Sequence, residues 1–358
     1  MMKKRVMFIV PGLYPKAIGG AEIFNYYLIR ALREDCTVSY MTACEKSILG
    51  ARKIQLHKNK NHLQQLRIIL KLIGMTKANT IVHSFMRTKW YFIIIYPLLA
   101  MLFNKKYVII IHGGGLMHWK WKLPYELYFR KAKAVFGVSE TICEEYSNRT
   151  GEDVRFLPPL IPFNNDSFDK QELRRKYGYG NNDQIFLIVG SLKDLKRPMT
   201  VLEAAKKIGH QYLKDNNVSF IFAGDGHLRK GMDTFIDKNG LSACINLMGN
   251  VPRDIIHELY KMSNSYIISS DFEGTPIAML EGMKNELLII GSNVRGIKDT
   301  LCSDNLGFLF NNRKPAELAE IIKLAIHHDF SDKKLAAKQH YDSCFSYGGM
   351  LSDIKDVL

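Results

Sequence analysis

"RVMFIVPGLYPKAIGGAE", residues 5–22, is a short apolar run that stops at Pro11-Gly12, then a turn ending in Gly19-Gly20 against a helix-length segment, Ala21 to Leu32. The positive start "MMKKR" outlines a signal peptide, but the run Val6 to Val10 is too short for a secretory apolar region. It reads instead as a first buried strand. Glycines before a helix let the backbone approach a ligand closely, and the helix N-terminus offers free N–H groups and the positive end of its dipole. A plain strand-to-helix turn explains the same residues equally well.

The unit repeats along the chain. "CTVSYM", "TIVHSF", "YVIIIH", "AVFGVS" and "VRFLP" follow with helix-length segments between them. Continuous apolar strands separated by helices predict a parallel sheet covered on both faces, a doubly wound α/β domain. "LPPLIPFNNDSFD", residues 157–169, interrupts the pattern like a linker. The alternation resumes with "QIFLIVGS", a helix from about Pro198 to Ile208, "VSFIFAG", "INLMG", "SYIISS", "ELLIIGS" and "LGFLF". A length of 358 residues suits two such domains. We expect a first domain over 1–160, a second over 161–340, and a helical tail over 341–358 that can pack back on the first. The end, from about Pro315, reads as two helices. Two domains of this kind are expected to face each other across a cleft that binds ligand at the strand ends.

Composition is that of a folded protein, 47% hydrophobic and 24% charged. The six cysteines, Cys36, Cys44, Cys143, Cys244, Cys302 and Cys344, have no zinc or disulfide spacing, which suits a reducing cytoplasm. The longest apolar run, residues 90–103, contains Pro97 and is shorter than a membrane span. Charge is uneven: residues 1–160 hold 25 Lys/Arg against 10 Asp/Glu, and the remainder balances at 25 each. The whole net charge of +15 therefore lies in the first domain, which implies an anionic partner such as a phospholipid surface, a nucleic acid or a phosphorylated substrate. A basic surface kept for solubility is the bland alternative. "RKIQLHKNKNHLQQLRIILKLIG", residues 52–74, sets Leu66, Ile69, Leu70 and Ile73 at helical spacing behind a basic lead-in, as in an interfacial helix or a core-facing one. No nucleic-acid motif accompanies the charge.

Chemistry collects after the strands. "GSLKDLKRP", from Gly190, brings Lys193, Lys196 and Arg197 to a strand end, suited to a diphosphate or to a solvated basic loop. "EGTPIAMLE", from Glu273 to Glu281, holds two carboxylates around a Gly-Thr-Pro turn. Thr275 is a natural N-cap and Pro276 a natural first helical residue. The carboxylates then stand roughly 8 to 12 Å apart along the axis. That is wide for a retaining hydrolytic pair, which wants about 5 to 5.5 Å. A grip on two ends of an elongated ligand fits better, each carboxylate accepting hydroxyls with the helix N-terminus toward a phosphate. Two surface glutamates remain the structural alternative. A metal site is disfavoured, since no D-x-D lies nearby.

In this order, "GGAE" (19–22), "IIHGGG" (110–115), "GVSE" (137–140), "GSLKDLKRP", "FAGDG" (222–226), "LMGNVPRDIIHELYKMSNSYIISS" and "FEGTPIAMLEGM" resemble the retaining, nucleotide-sugar-dependent glycosyltransferases of GT-B architecture, the group 1 or family 4 type with a Glu-x7-Glu motif. The resemblance covers nearly the whole chain. It implies two Rossmann-like domains, a hexosyltransferase activity and a nucleotide-sugar donor, UDP-linked in preference to GDP-linked. The acceptor would be a saccharide, lipid-linked or of the cell envelope, and neither metal nor other cofactor would be needed.

The resemblance also implies residue roles. Glu273 would hold the donor sugar with Gly274, Thr275 and Pro276 beside it, and Glu281 would hold the ribose. Lys196 would neutralise the departing diphosphate, Gly19 and Gly20 would close over the phosphates, and His112 would stand near the reacting face of the sugar. Two positions depart from the pattern. Ser191 replaces an arginine of the diphosphate clamp, for which Arg197 or Lys193 could substitute, and Pro158-Pro159-Leu160 replaces the usual Pro-Asn-Gly hinge. Together with the charge, this gives the expectation of a cytoplasmic enzyme, peripheral on an anionic membrane, with a non-catalytic sugar-nucleotide-binding protein or an epimerase as alternatives.

Overall fold

The computed structural model describes residues 3–10, 20–42, 53–55, 78–85, 96–98, 102, 104–112, 122–159, 169–345 and 347–358. The chain divides into two compact units, Met1–Pro162 with Ser346–Leu358, and Phe163–Phe345.

The first unit runs β1 (Lys4–Ile9), α1 (Gly20–Leu32), β2 (Cys36–Thr42), β3 (Lys53–Gln55), β4 (Thr80–Phe85), β5 (Lys106–Ile111), α2 (Lys122–Arg130), β6 (Ala134–Gly137), α3 (Glu140–Thr150) and β7 (Val154–Phe156). Its seven strands are all parallel, in the order β3-β2-β1-β4-β5-β6-β7. The interior strand β5, KYVIII, is buried from Tyr107 to Ile111, as a parallel strand covered on both faces must be. Helix α3 shows how local sequence sets its own limits. The Ser139 hydroxyl accepts from the Ile142 N–H at 3.2 Å, and Gly151, in the left-handed region at φ 72°, closes the other end by bonding Ser147 O. Strand β3 is an edge strand inside the basic lead-in of 52–74 that the sequence reading did not assign; residues 56–74, with the helical spacing read from Leu66 to Ile73, lie outside those described. So does most of 90–103, of which 96–98 are helical.

The second unit runs α4 (Lys170–Lys176), β8 (Gln184–Val189), α5 (Pro198–Ile208), α6 (His210–Asp215), β9 (Val218–Ala223), α7 (Arg229–Lys238), β10 (Ile245–Gly249), α8 (Arg253–Met262), β11 (Ser265–Ile268), α9 (Ile277–Lys284), β12 (Leu288–Ser292), α10 (Ile297–Thr300), β13 (Phe308–Phe310), α11 (Pro315–His327) and α12 (Ser331–Cys344). Its strands are parallel in the order β10-β9-β8-β11-β12-β13. The buried Arg174 of α4 is satisfied by Met262 O, the carbonyls of Gly180 and Asn181, and the Asn264 side chain, which also accepts from the Ile185 N–H. One guanidinium thus ties a helix to the starts of β8 and β11.

The chain after Pro315 forms three helices, not two, because α12 continues through 341 and the last, α13 (Tyr347–Val357), is separate. Leu351, Ile354, Val357 and Leu358 join the apolar core of the first unit. The Thr80 hydroxyl donates to Leu358 O at 3.2 Å, and Lys355 pairs with Asp35. The tail therefore belongs with the first unit from Ser346 onward. Both sheets have a point where the strand order reverses, between β1 and β4 and between β8 and β11. In sheets of this kind such a reversal point is the usual position for a ligand.

Candidate active site

In the second unit the loops after β8 and β11 leave that reversal point side by side. After β8 the chain passes Gly190 and Ser191 and makes a tight 3-10 turn, Asp194–Lys196. After β11 it runs through Ser269, Ser270, Asp271 and Phe272 to Glu273. The two loops are stitched together. The Asp271 N–H donates to Leu195 O at 2.8 Å, and the Ser269 hydroxyl lies 2.9 Å from both Lys196 O and Arg197 O. The buried Asn312 amide donates to Ser270 O and to the Asp271 carboxylate, Ser292 donates to Ser270 O, and Thr200 donates to Asn312 O. This buried network fixes the backbone that carries the chemistry.

Lys196 Nζ and Glu273 Oε1 lie 2.5 Å apart on these loops, and the Ser270 hydroxyl donates to the same oxygen at 2.6 Å. The carboxylate is the more enclosed partner, with 12% of its side chain exposed against 35% for the lysine. A cation and an acceptor group are thus set close together, each able to exchange its partner for part of a ligand: Lys196 for a phosphate, Glu273 for hydroxyls.

Gly296 supports this loop from the other side. It sits at φ 85°, and a Cβ there would collide with the carbonyl oxygens of Glu273 and Gly274. Only a glycine lets the β12–α10 turn lie so close. Similarly, Gly224 at φ 153° passes directly over Gly190 O.

Pro276 occupies the cap position and α9 begins at Ile277, one residue later than the sequence suggested. Pro276 gives α9 no side-chain cap, and the start of the helix, with its dipole end, lies directly after Gly274 and Thr275, a setting that suits an anion. Glu281 follows on the second turn. It is not a surface glutamate: its side chain is 2% exposed and in ionic contact with Arg253 at the start of α8.

Arg197, placed in the left-handed region at φ 46° by the turn before Pro198, has its guanidinium 3.6 Å from Asp271. Lys193 is exposed. The two cations that could stand in for an arginine at Ser191 thus differ: one is already held by a carboxylate, the other is free to solvent.

His112 and Gly20 lie in the first unit; Gly19 is outside the described residues. Gly20 opens α1. His112 follows β5, its N–H bonded to Phe85 O, its Nε2 2.8 Å from the Ser84 hydroxyl, and its ring edge-on to Phe24 at 4.8 Å. Burial lowers its pKa from the usual 6.5 to about 3, so the ring is neutral. Among the described residues no cluster of three or more His, Cys, Asp or Glu could hold a metal.

Sequence reasoning missed Ser270, Arg253, Asn312 and Gly296. Ser270 had a signal, a hydroxyl three residues before Glu273 at a strand end. Arg253 and Asn312 reach the site only through packing of distant segments.

Residues 169–341 match the family model of glycosyl transferases group 1. The chain is 29% identical over 190 residues to the putative glycosyltransferase EpsD of Bacillus subtilis, covering 53% of this chain and 49% of that protein. It is 31% identical over 161 residues to the Escherichia coli UDP-Gal:alpha-D-GlcNAc-diphosphoundecaprenol alpha-1,3-galactosyltransferase, covering 44% and 39%. The matched stretches thus span half or less of these relatives' own lengths. Over nearly full length, 99% of each chain, the structure is similar to Anabaena HepE crystallised with UDP, at a TM-score of 0.79 and 16% identity. Residues 169–341, most of the second unit, are thus similar to the glycosyl transferases group 1, and the two Rossmann-like units carry the GT-B fold.

Proposed function

We propose that the protein is a retaining glycosyltransferase that moves a hexose-type sugar from a nucleoside diphosphate sugar, UDP-linked, to a saccharide acceptor that is lipid-linked or part of the cell envelope. The observation that carries this reading is the Lys196–Glu273 pair, held by a buried network at the strand ends where the second sheet reverses. Donor binding would draw Lys196 to the diphosphate and leave Glu273 to accept sugar hydroxyls, with Gly274, Thr275 and Pro276 lining the approach to the α9 N-terminus and Glu281 on the ribose. The acceptor oxygen then bonds the anomeric carbon from the face the leaving group departs. The bond from that carbon to the phosphate oxygen breaks, and the acceptor proton passes to a phosphate oxygen. Lys196 stabilises the charge that develops on the diphosphate, a preorganised electrostatic role. The step written this way uses no metal or other cofactor.

The relative acting on a diphosphoundecaprenol-linked sugar and the HepE complex with UDP support the acceptor and donor classes. Ser191, where the family has arginine, favours a second reading, a sugar-nucleotide-binding protein without transfer; an epimerase is a further alternative. The test is binding of UDP-, GDP- and ADP-sugars, followed by nucleotide release with and without acceptor. Release that requires an acceptor is expected. Replacing Lys196 with Ala should lower kcat by about 10²–10³, the usual effect of removing one such stabilising group; wild-type rates in both Lys196→Ala and Glu273→Ala would refute the assignment.

A further inference from the structure

Glu281 and Arg253, both in the second unit, leave more hydrogen-bonding capacity unused than a purely structural ion pair would. The carboxylate is 2% exposed and in ionic contact with a guanidinium that is 15% exposed. Apart from that contact, neither Glu281 oxygen has a hydrogen-bond partner among the described residues, and neither has Arg253 Nε or Nη2. An ionised carboxylate offers about four lone-pair sites, and buried polar atoms are as a rule satisfied. Arg174, buried in the same unit, shows the contrast: its Nε and both terminal nitrogens all donate to protein acceptors.

Both residues are held from behind. The backbone at Glu281 is pressed onto the sheet, since a Cβ on the next residue, Gly282, would come within 3.1 Å of Tyr266 Cβ in β11 and 3.0 Å of Ile289 Cδ1 in β12. Arg253 opens α8, and about two turns along that helix the Tyr260 hydroxyl donates to Ala278 O of α9 at 2.7 Å. The helices that carry the two charges are therefore tied to each other. A ribose that displaced the guanidinium would leave an enclosed carboxylate without a counter-charge, because a diol is neutral, and an uncompensated buried charge is strongly destabilising. The carboxylate can instead serve both, with some lone pairs toward Arg253 and the rest toward hydroxyls.

We infer that Arg253 is a positioning residue for the nucleoside of the donor: it stays beside Glu281, compensates its charge and turns the remaining lone pairs toward the 2′- and 3′-hydroxyls of the ribose. This rests on the proposed reading that places Glu281 on the ribose.

The experiment is calorimetric titration of the full chain with UDP and GDP, and with the 2′,3′-dideoxy form of whichever binds more tightly. The ratio of the two dissociation constants isolates the ribose hydroxyls, and a smaller folded fraction does not change it. The wild type should favour the diol about tenfold or more, as hydrogen bonds to a charged acceptor do. Arg253→Met should bring the ratio to within about twofold of one, the size of effect left when those bonds are lost. Arg253→Lys keeps the counter-charge, and with it the fold, but lacks the planar fork that orients a carboxylate, so its ratio should fall between. A wild-type ratio in either variant overturns the inference, including the case where affinity drops equally for both ligands. Arg253→Met combined with Glu281→Leu removes both charges and tests the reading beneath: it should bind the two ligands alike. If that variant still favours the diol, or if the wild type binds neither nucleotide or shows no preference, Glu281 does not hold the ribose and the inference falls with that reading.

Discussion

Glu281 and Arg253 form the charged pair in the second unit that depends most on its partner. The carboxylate is almost fully enclosed and the guanidinium nearly so. Removing one partner of such a pair strands a buried charge, at about 3–5 kcal/mol, whereas replacing both with apolar groups is often close to neutral. Arg253→Met should therefore lower the urea midpoint of unfolding more than Arg253→Met with Glu281→Leu does. Equal loss in the two variants would mean that the pair is relaxed in solution. In the first unit, His83 and His112 carry pKa values lowered from 6.5 to about 3 by burial. Between these values the unfolded chain binds protons that the folded chain refuses, so stability rises with pH there. It is fully present above about pH 6.5 and is lost on acidification, by about 1.4 kcal/mol per pH unit for each histidine. Unfolding midpoints measured at pH 7 and pH 5 should show the decline, and a flat profile would mean that one or both rings open to solvent.

At the scale of elements, the site depends on backbones that approach one another without side chains between them. Gly296 is the clearest case, because a methyl group there would strike the carbonyls of Glu273 and Gly274. Gly296→Ala is expected to weaken donor binding about tenfold or more and to cost over 1 kcal/mol, since the position is also left-handed. Calorimetric titration with the donor and a thermal melt would check both, and an unchanged affinity would show that the loop reshapes freely. The strand and helix pattern itself was legible from the sequence, because parallel strands covered on both faces leave uninterrupted apolar runs such as Tyr107–Ile111. Strand β3 was not, since three residues, Lys53–Gln55, carry too little periodicity to stand out against the basic stretch around them. The separation of α13 from α12 was not legible either, since the packing of α13 in the first core joins segments far apart in the chain.

For the molecule as a whole, the excess positive charge of residues 1–160 is the feature with the widest reach. Spread over one unit, it would attract an anionic bilayer through its summed field, an effect that salt screens within about 10 Å at 0.1 M. No helix among the described residues is long and apolar enough to cross a membrane. We propose peripheral attachment through the first unit. Flotation with vesicles containing anionic lipid should carry the protein at low salt and release it at high salt, whereas vesicles of neutral lipid should not. Equal recovery with both kinds of vesicle would sink the idea.

The sequence by itself determined the two sheets, the helix that follows the Gly-Thr-Pro turn to within one residue, and the residue types at the strand ends, because each follows from local periodicity, turn chemistry and spacing. It also placed Lys196 and Glu273 after strands. Only the tertiary structure decided that these two meet at 2.5 Å, that Glu281 is buried against Arg253, that Arg197 is held by Asp271, and that Ser84 mediates between Asn25 and His112. Each of these contacts joins residues far apart in the chain. Their distances are set by strand order and loop packing, which one segment's composition does not encode.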